Sequence, residues 1–230
     1  MNKIKALACA AMLALGGSAA AANHLYTFNG TYADALGGAD MVGGGGTLGA
    51  TSYTFGINEG LSLGEQLGSV YTIDMVMTFD THSGWQKIID FKDRTSDSGL
   101  YTSDGNWNFY RTLLSAPAPA DGVAARVTLT RDAGSLVSLY VNGALTGTFL
   151  DSGNIATFEG KGAFFFMDDM TNARPEAAAG NVDYIATFDR ALTASEVAAG
   201  VSPVPEPASG AMLGAGLGML ALVRRRTRKA

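Results

Sequence analysis

The sequence predicts an all-β fold, two packed antiparallel sheets with one short helix near the end of the domain and a separate C-terminal apolar helix. Three observations carry this. The apolar runs between residues 23 and 202 are short and rich in β-branched and aromatic side chains, many of them alternate with period two, and Gly, Asn and Asp punctuate them. Short strands at turn-separated intervals bury their apolar faces most simply as two stacked sheets.

The strands follow in order. Leu25 to Phe28 and Thr51 to Ile57 come first. Val70 to Phe79 (V-Y-T-I-D-M-V-M-T-F) places Tyr71, Ile73, Met75, Met77 and Phe79 on one face. Lys87 to Phe91, Trp107 to Tyr110 and Arg126 to Arg131 continue the series, the last (R-V-T-L-T-R) with the cleanest alternation. Leu136 to Phe149 (L-V-S-L-Y-V-N-G-A-L-T-G-T-F) predicts a hairpin, because Asn142-Gly143 tolerates the two positive φ angles of a type I′ turn. Ala163 to Met167 and Val182 to Phe188 complete the strands. Thr193 to Ala199 predicts the helix, with Thr193 as N-cap and Glu196 three residues on as its capping-box partner. Gly37 to Gly49 contains neither the G-x-x-x-x-G-K of a phosphate loop nor a G-x-G-x-x-G before a helix, and is expected to be a flexible link between two early strands.

The two ends are of a different kind. Residues 1–22 carry Lys3 and Lys5, an apolar stretch Ile4 to Leu15 and the small residues Ser18 to Ala22, the layout of a secretory signal peptide cleaved before Asn23 or a neighbour. The single cysteine, Cys9, lies inside it, and Ala6-Leu7-Ala8 ahead of it lacks the branched residue of a lipid-attachment box. The exported chain is therefore expected to have no disulfide and no thiol nucleophile, and with only His24 and His82 remaining a Cys/His metal site is excluded. At the other end, residues 208–223 are free of charge, and Arg224, Arg225, Arg226, Arg228 and Lys229 follow. As a helix at ~1.5 Å per residue that segment spans roughly 24 Å, a little under a hydrocarbon core of ~30 Å, with its basic end on the cytoplasmic side. A permanent single-span anchor is one reading of it.

The order Val204-Pro205-Glu206-Pro207, apolar helix, arginine cluster resembles the PEP-CTERM sorting signal of exported proteins from Gram-negative bacteria. That resemblance implies recognition by an exosortase-type membrane enzyme, a transient membrane stage, removal of the tail near Pro-Glu-Pro, and release to the cell surface or extracellular matrix. Three units follow: signal peptide 1–22, domain 23–202 and sorting signal 203–230.

The middle unit of about 180 residues suffices for one domain with a substantial core. The whole chain has a formal charge of −5, but seven of its sixteen basic residues lie in the end segments; the middle carries nine Lys and Arg against twenty Asp and Glu, a net −11. That balance disfavours nucleic acid and anionic lipid as partners.

Three features of the middle occur in series: the L-Y-V-N-G-A-L-T-G-T-F hairpin, a strand leading into an acidic loop, and N-V-D-Y-I-A-T-F-D-R-A-L-T-A-S-E-V-A-A from Asn181. Together they resemble the second half of a laminin-G-like domain of the concanavalin A-like lectin/glucanase superfamily. Gly180, Val182, Asp183, Phe188, Asp189, Arg190, Ala191, Leu192, Glu196 and Val197 fit its closing strand. The resemblance implies a jelly-roll sandwich, and a fold that carries sugar binders, adhesion modules and glycosidases alike.

The chemistry on offer is narrower. The glucanase pattern E-x-D-x-E is absent, and none of Glu59, Glu65, Glu159, Glu176 and Glu196 stands two residues from another carboxylate, so no local acid–nucleophile pair is present. Nor is there a G-x-S-x-G for a serine nucleophile. Calcium is the one cofactor the residues suggest: Asp168, Asp169, Asn172 and Glu176 lie on one loop after a strongly apolar strand, and oxygen ligands on a loop are what calcium takes. The same residues equally suit turn capping and solvation. The second acidic loop, Asp90 to Gly99, is interleaved with Lys92 and Arg94. For a sugar, Trp107 flanked by Asn106 and Asn108 offers a stacking ring between amide side chains, and Trp85 offers a second ring. Trp107 and Phe109 equally describe the core face of a strand. The expectation is an exported, non-enzymatic module binding an extracellular polysaccharide or surface glycan, with calcium as a possible support; the alternatives are a self-associating matrix protein and, behind it, a glycoside hydrolase.

Overall fold

The computed structural model describes residues 20–65, 67–110, 112–160, 162–171 and 176–202. Residues 1–19 of the signal peptide, Asn172, the Val204–Pro207 motif, the 208–223 segment and the arginine cluster lie outside them. Among the described residues the strands are β1 Ala20–Ala21, β2 His24–Tyr26, β3 Met41–Gly43, β4 Thr47–Leu48, β5 Tyr53–Phe55, β6 Leu61–Leu63, β7 Tyr71–Phe79, β8 Trp85–Asp90, β9 Gly99–Ser103, β10 Asn106–Phe109, β11 Thr112–Pro117, β12 Ala125–Arg131, β13 Leu136–Val141, β14 Ala144–Leu150, β15 Ala163–Phe165, β16 Gly180–Phe188 and β17 Val201–Ser202, with helix α1 Ala194–Ala199 between the last two.

All but β1 and β17 form two antiparallel sheets. One runs β11-β10-β9-β8-β15-β6-β3; the other runs β14-β13-β12-β7-β16-β5-β4, with β2 added on β16. Tyr71, Ile73, Met75, Met77 and Phe79 of β7 all lie in the core between the sheets, as their alternation requires. Aromatic rings fill that core: Phe55 stacks on Phe166 at 4.3 Å, and Phe158 packs 4.6 Å from Phe91. With no disulfide, this packed interior is what holds the sandwich.

The Asn142-Gly143 hairpin forms, with φ of 51° and 81°, and aligns β13 against β14. Helix α1 carries the full capping box: Glu196 N–H donates to Thr193 Oγ1, and Thr193 N–H donates back to the Glu196 carboxylate. Its C-terminal carbonyl at Val197 accepts from Arg126 Nη1 at 2.7 Å, while Arg126 Nε reaches Asp74 at 2.9 Å. Leu25, Ala186, Phe188, Leu192 and Val197 form a second apolar cluster there, on the outer face of the β7–β16 sheet.

One expectation is corrected. The stretch Gly37 to Gly49 is not merely a flexible link, because it contains β3 and β4, one in each sheet. Its glycines permit close approach: a Cβ on Gly46 would stand 2.3 Å from the Thr54 carbonyl oxygen. In addition, β1 lies within the predicted signal peptide and pairs in parallel with β17 (Ala20 with Val201), so this ladder joins the end of that segment to the last two residues of the domain.

Candidate functional site

The outer face of the β8–β9–β10 strands is where the sequence-predicted residues meet. Register decides which side chains appear on it. Trp85 pairs with Ser103 and Lys87 with Tyr101, and Tyr101 pairs in turn with Asn108 and Ser103 with Asn106. Period-two alternation therefore puts Trp85, Lys87, Tyr101, Asn106, Asn108 and Tyr110 on this side, and sends Leu100, Trp107 and Phe109 into the core. Trp107 is thereby corrected: it is wholly buried and offers no face to a ligand. Asn106 is exposed, and its amide donates to the Asp104 carbonyl at 3.2 Å. Asn108 is buried, with its Oδ1 lacking a hydrogen-bond partner among the described residues.

Trp85 is 37% exposed. Its ring stands edge-on to Tyr101 at 5.4 Å and 87°, and lies 6.5 Å from Tyr110, which is itself 6.5 Å from Tyr101. Three rings thus cluster here, with Tyr101 fully buried and Trp85 reaching solvent. Tyr110 ends the predicted strand Trp107 to Tyr110, whereas Tyr101 lies in a short stretch, G-L-Y-T-S, with no alternation to mark it.

Beside the rings lies a buried charge cluster. Lys87, flanked by Gln86 and Ile88 in β8, is wholly buried, and its Nζ stands 3.0 Å from Asp90, 3.3 Å from Asp169 and 3.5 Å from Asp168. It also lies 5.2 Å from the Tyr101 ring centroid and donates to the Ser96 carbonyl. The chain reaches this position through Phe166, whose φ of 58° lets both Phe165 and Phe166 bury their rings before Asp168 and Asp169 cross onto the outer face. The two acidic loops are then joined: Arg94 Nε donates to the Asp168 carbonyl at 2.6 Å, and Met170 N–H to the Arg94 carbonyl at 3.0 Å. Glu176 lies alongside β8, its carbonyl accepting from Lys87 N–H at 2.8 Å and its N–H donating to Asp168 Oδ2 at 2.7 Å.

The carboxylates differ in how tightly they hold a proton. Burial raises Asp168, against the opposing pull of the Glu176 amide and the Lys87 ammonium. Burial would raise Asp169 too, but hydrogen bonds from Thr171, a further one with Asp97 and the Lys87 charge outweigh it and bring it down to about 2. Glu176 is raised by burial, then by the neighbouring charges of Asp168 and Asp97.

Among the described residues this carboxylate cluster already holds a cation of the protein's own. The Lys87 ammonium already stands among Asp90, Asp168 and Asp169 where a divalent ion would have to sit, and among the described residues no group of three or more His, Cys, Asp or Glu side chains is placed to hold a metal. The signal that points to this is a lysine directly before the apolar pair Ile88-Ile89 and three residues before an aspartate. Nor do the carboxylates present an exposed catalytic pair. Asp168 and Asp169 are 0% and 4% exposed, whereas Glu176 is half-buried at the rim. A separate apolar cleft of about 200 Å³, lined by Leu25, Thr27, Tyr184 and Val201, lies beside the β1–β17 ladder, away from these groups.

Two antiparallel sheets packed face to face, with one short helix before the last strand, define an all-β, jelly-roll-like class of protein. The chain belongs to the concanavalin A-like lectin/glucanases superfamily, through a laminin-G model that matches residues 52–198. The PEP-CTERM protein-sorting motif matches residues 203–229, which marks the chain for exosortase-dependent export to the surface of a Gram-negative cell. Among the described residues no helix is long and apolar enough to cross a membrane. No curated protein matches the chain.

Solved structures share the fold at low identity. A Trypanosoma rangeli sialidase in complex with 2,3-difluorosialic acid superposes with a TM-score of 0.59 at 16% identity, over 76% of this chain and 31% of its own. The chain thus spans about a third of that enzyme. Domain 4 of AbnA, an extracellular arabinanase from Geobacillus stearothermophilus in complex with arabinotriose, gives 0.55 at 16% identity over 79% of this chain and 98% of its own. The receptor-binding domain of botulinum neurotoxin type G gives 0.58 at 15% identity, covering 78% and 50%. At these identities the likeness is one of fold.

Proposed function

We propose that the domain is a non-catalytic carbohydrate-binding module, displayed at the cell surface or in the extracellular matrix after removal of both end segments, and that it holds a polysaccharide on the outer face of β8–β10. The observation that carries this reading is the ring cluster: Trp85 at the surface against Tyr101 and Tyr110, with the amides of Asn106 and Asn108 on the same side. Exposed indole stacks on the C–H face of a pyranose, and amides and carboxylates take its hydroxyls. The AbnA domain, 98% of which the chain covers, was solved with arabinotriose, which supports the same class of ligand.

Titrating the protein with a panel of soluble polysaccharides tests this. A ring stack contributes ~0.5–1.5 kcal/mol beyond area burial, so Trp85→Ala should weaken binding about tenfold while leaving the unfolding temperature nearly unchanged. Equal binding by Trp85→Ala and the parent protein would sink the proposed face.

A second reading, self-association, has its own observation. Edge strand β14 carries no charged residue, and Leu145 and Leu150 on it are 59% and 65% exposed. Concentration-dependent sedimentation that Leu145→Glu abolishes, without glycan binding, would favour it.

A further inference from the structure

The predicted signal peptide and the folded domain overlap. Residues 1–22 read as a signal that ends in the small residues Ser18 to Ala22, yet Ala20 and Ala21 form β1, which pairs with β17 (Ala20 with Val201, Ala21 with Ser202). Ala20 is 5% exposed and belongs to the outer apolar cluster with Leu25, Ala186, Phe188, Leu192 and Val197, and Ala22 and Val201 pack against that cluster. The contacts continue without a gap into β2. Asn23 N–H donates to the Thr187 carbonyl at 2.9 Å, its side-chain amide donates to Asp189 at 2.9 Å, and His24 pairs with Thr187.

Small residues alone do not choose the bond that is cut. A signal peptidase takes small side chains at the first and third positions before the cut, and the bonds after Ala19, Ala20, Ala21 and Ala22 all satisfy this, with Gly17, Ser18, Ala19 and Ala20 as the third residue. The four products differ in what they leave to the domain. A cut after Ala22 removes β1, takes Ala20 out of the apolar cluster, and strips Val201 and Ser202 of the one strand that pairs with them among the described residues. Val201 also lines the apolar cleft with Leu25, Thr27 and Tyr184, so the same loss bares apolar surface beside that cleft. Cuts after Ala20 or Ala21 destroy the two-residue strand as well. Only the cut after Ala19 keeps it whole.

We propose that signal peptidase hydrolyses the Ala19–Ala20 bond, so that the exported chain starts at Ala20 and β1 belongs to the mature domain. Water adds across that amide, leaving a carboxylate on Ala19 and an α-ammonium on Ala20 at the start of β1. The exported domain is then closed by its own two ends, its first strand on its last, and the sorting motif begins at the very next residue, Pro203. The peptidase reads only the small residues; the assignment rests on the ladder, which none of the other three products retains intact.

The test is N-terminal sequencing and intact mass of the protein exported from a Gram-negative host that expresses the full precursor, residues 1–230. The expected first residue is Ala20. A chain that starts at Ala21, Ala22 or Asn23 would overturn the assignment. Ala19→Arg supplies a second arm, because it places a bulky charge directly before the Ala19–Ala20 bond and three residues before the cut after Ala21, and leaves the bonds after Ala20 and Ala22 open. The variant should therefore be exported with a start at Ala21 or Asn23. Without its ladder it should unfold about 2–4 °C below the parent protein, the order of shift that losing one small set of contacts gives in a domain of this length. Equal unfolding temperatures for the longer and shorter products would overturn the claim that β1 belongs to the mature domain.

Discussion

Lys87 is costly to desolvate, and its stability in the interior depends on the carboxylates around it. Replacing it with methionine fills the same volume but leaves Asp90, Asp168 and Asp169 buried without their cation. Loss of one partner of a buried ion pair typically costs ~3–5 kcal/mol, and Lys87→Met should lower the urea midpoint accordingly. Asp169 adds a pH dependence. Its folded value of about 2 lies below the ordinary 3.8, so its contribution is present above pH 3.8 and is lost as pH falls toward 2. The unfolding temperature should fall across that window, and less steeply in Asp169→Asn. Asp168 and Glu176 shift the other way, so their contribution declines as pH rises through the ordinary carboxyl range. At this scale the sequence was only partly legible. Trp85, Asn106 and Asn108 stand out in it because aromatic and amide side chains suit a sugar surface, but Trp107 has the same composition around it and points inward. Side-chain direction in a strand is a matter of register, and register is set by the partner strand.

The hairpin and the helix are elements whose local chemistry suffices. Gly143 takes φ of 81° at a turn that needs it, and an added Cβ would lie 3.4 Å from the Ala198 Cα. Gly143→Ala should therefore cost at least ~0.4–1 kcal/mol, measurable by thermal or chemical unfolding. Long alternating runs such as β7 and β12 declare themselves in the same way, because a period of two over seven or nine residues leaves one side apolar. The short strands do not. β3 and β6 have three residues each and β4 has two, too few for any periodicity, and they exist because neighbouring strands offer them hydrogen-bond partners. Glycine, which reads as flexibility in the sequence, is what permits the close approach of backbone at Gly46.

Across the whole molecule, the built-in ammonium makes a prediction opposite to the one the acidic loop suggests by itself. A ligand bound only to the native state raises its unfolding temperature, so excess calcium and a chelator should give the same transition for the purified protein. A calcium-dependent rise lost in Asp168→Ala would show that the metal displaces Lys87. The C-terminal sorting motif, the acidic balance of the middle, the all-β architecture and the superfamily were determined by the sequence itself, because each rests on composition, order or periodicity along the chain. Only the tertiary structure decided that the predicted sugar residues and the predicted calcium carboxylates share one face, that Trp107 is core, and that Lys87 stands among Asp90, Asp168 and Asp169. The physical reason is separation: Lys87 and Asp169 are 82 residues apart, and only the pairing of β8 with β9 and β15 and the turn at Phe166 bring ammonium and carboxylate to 3.3 Å.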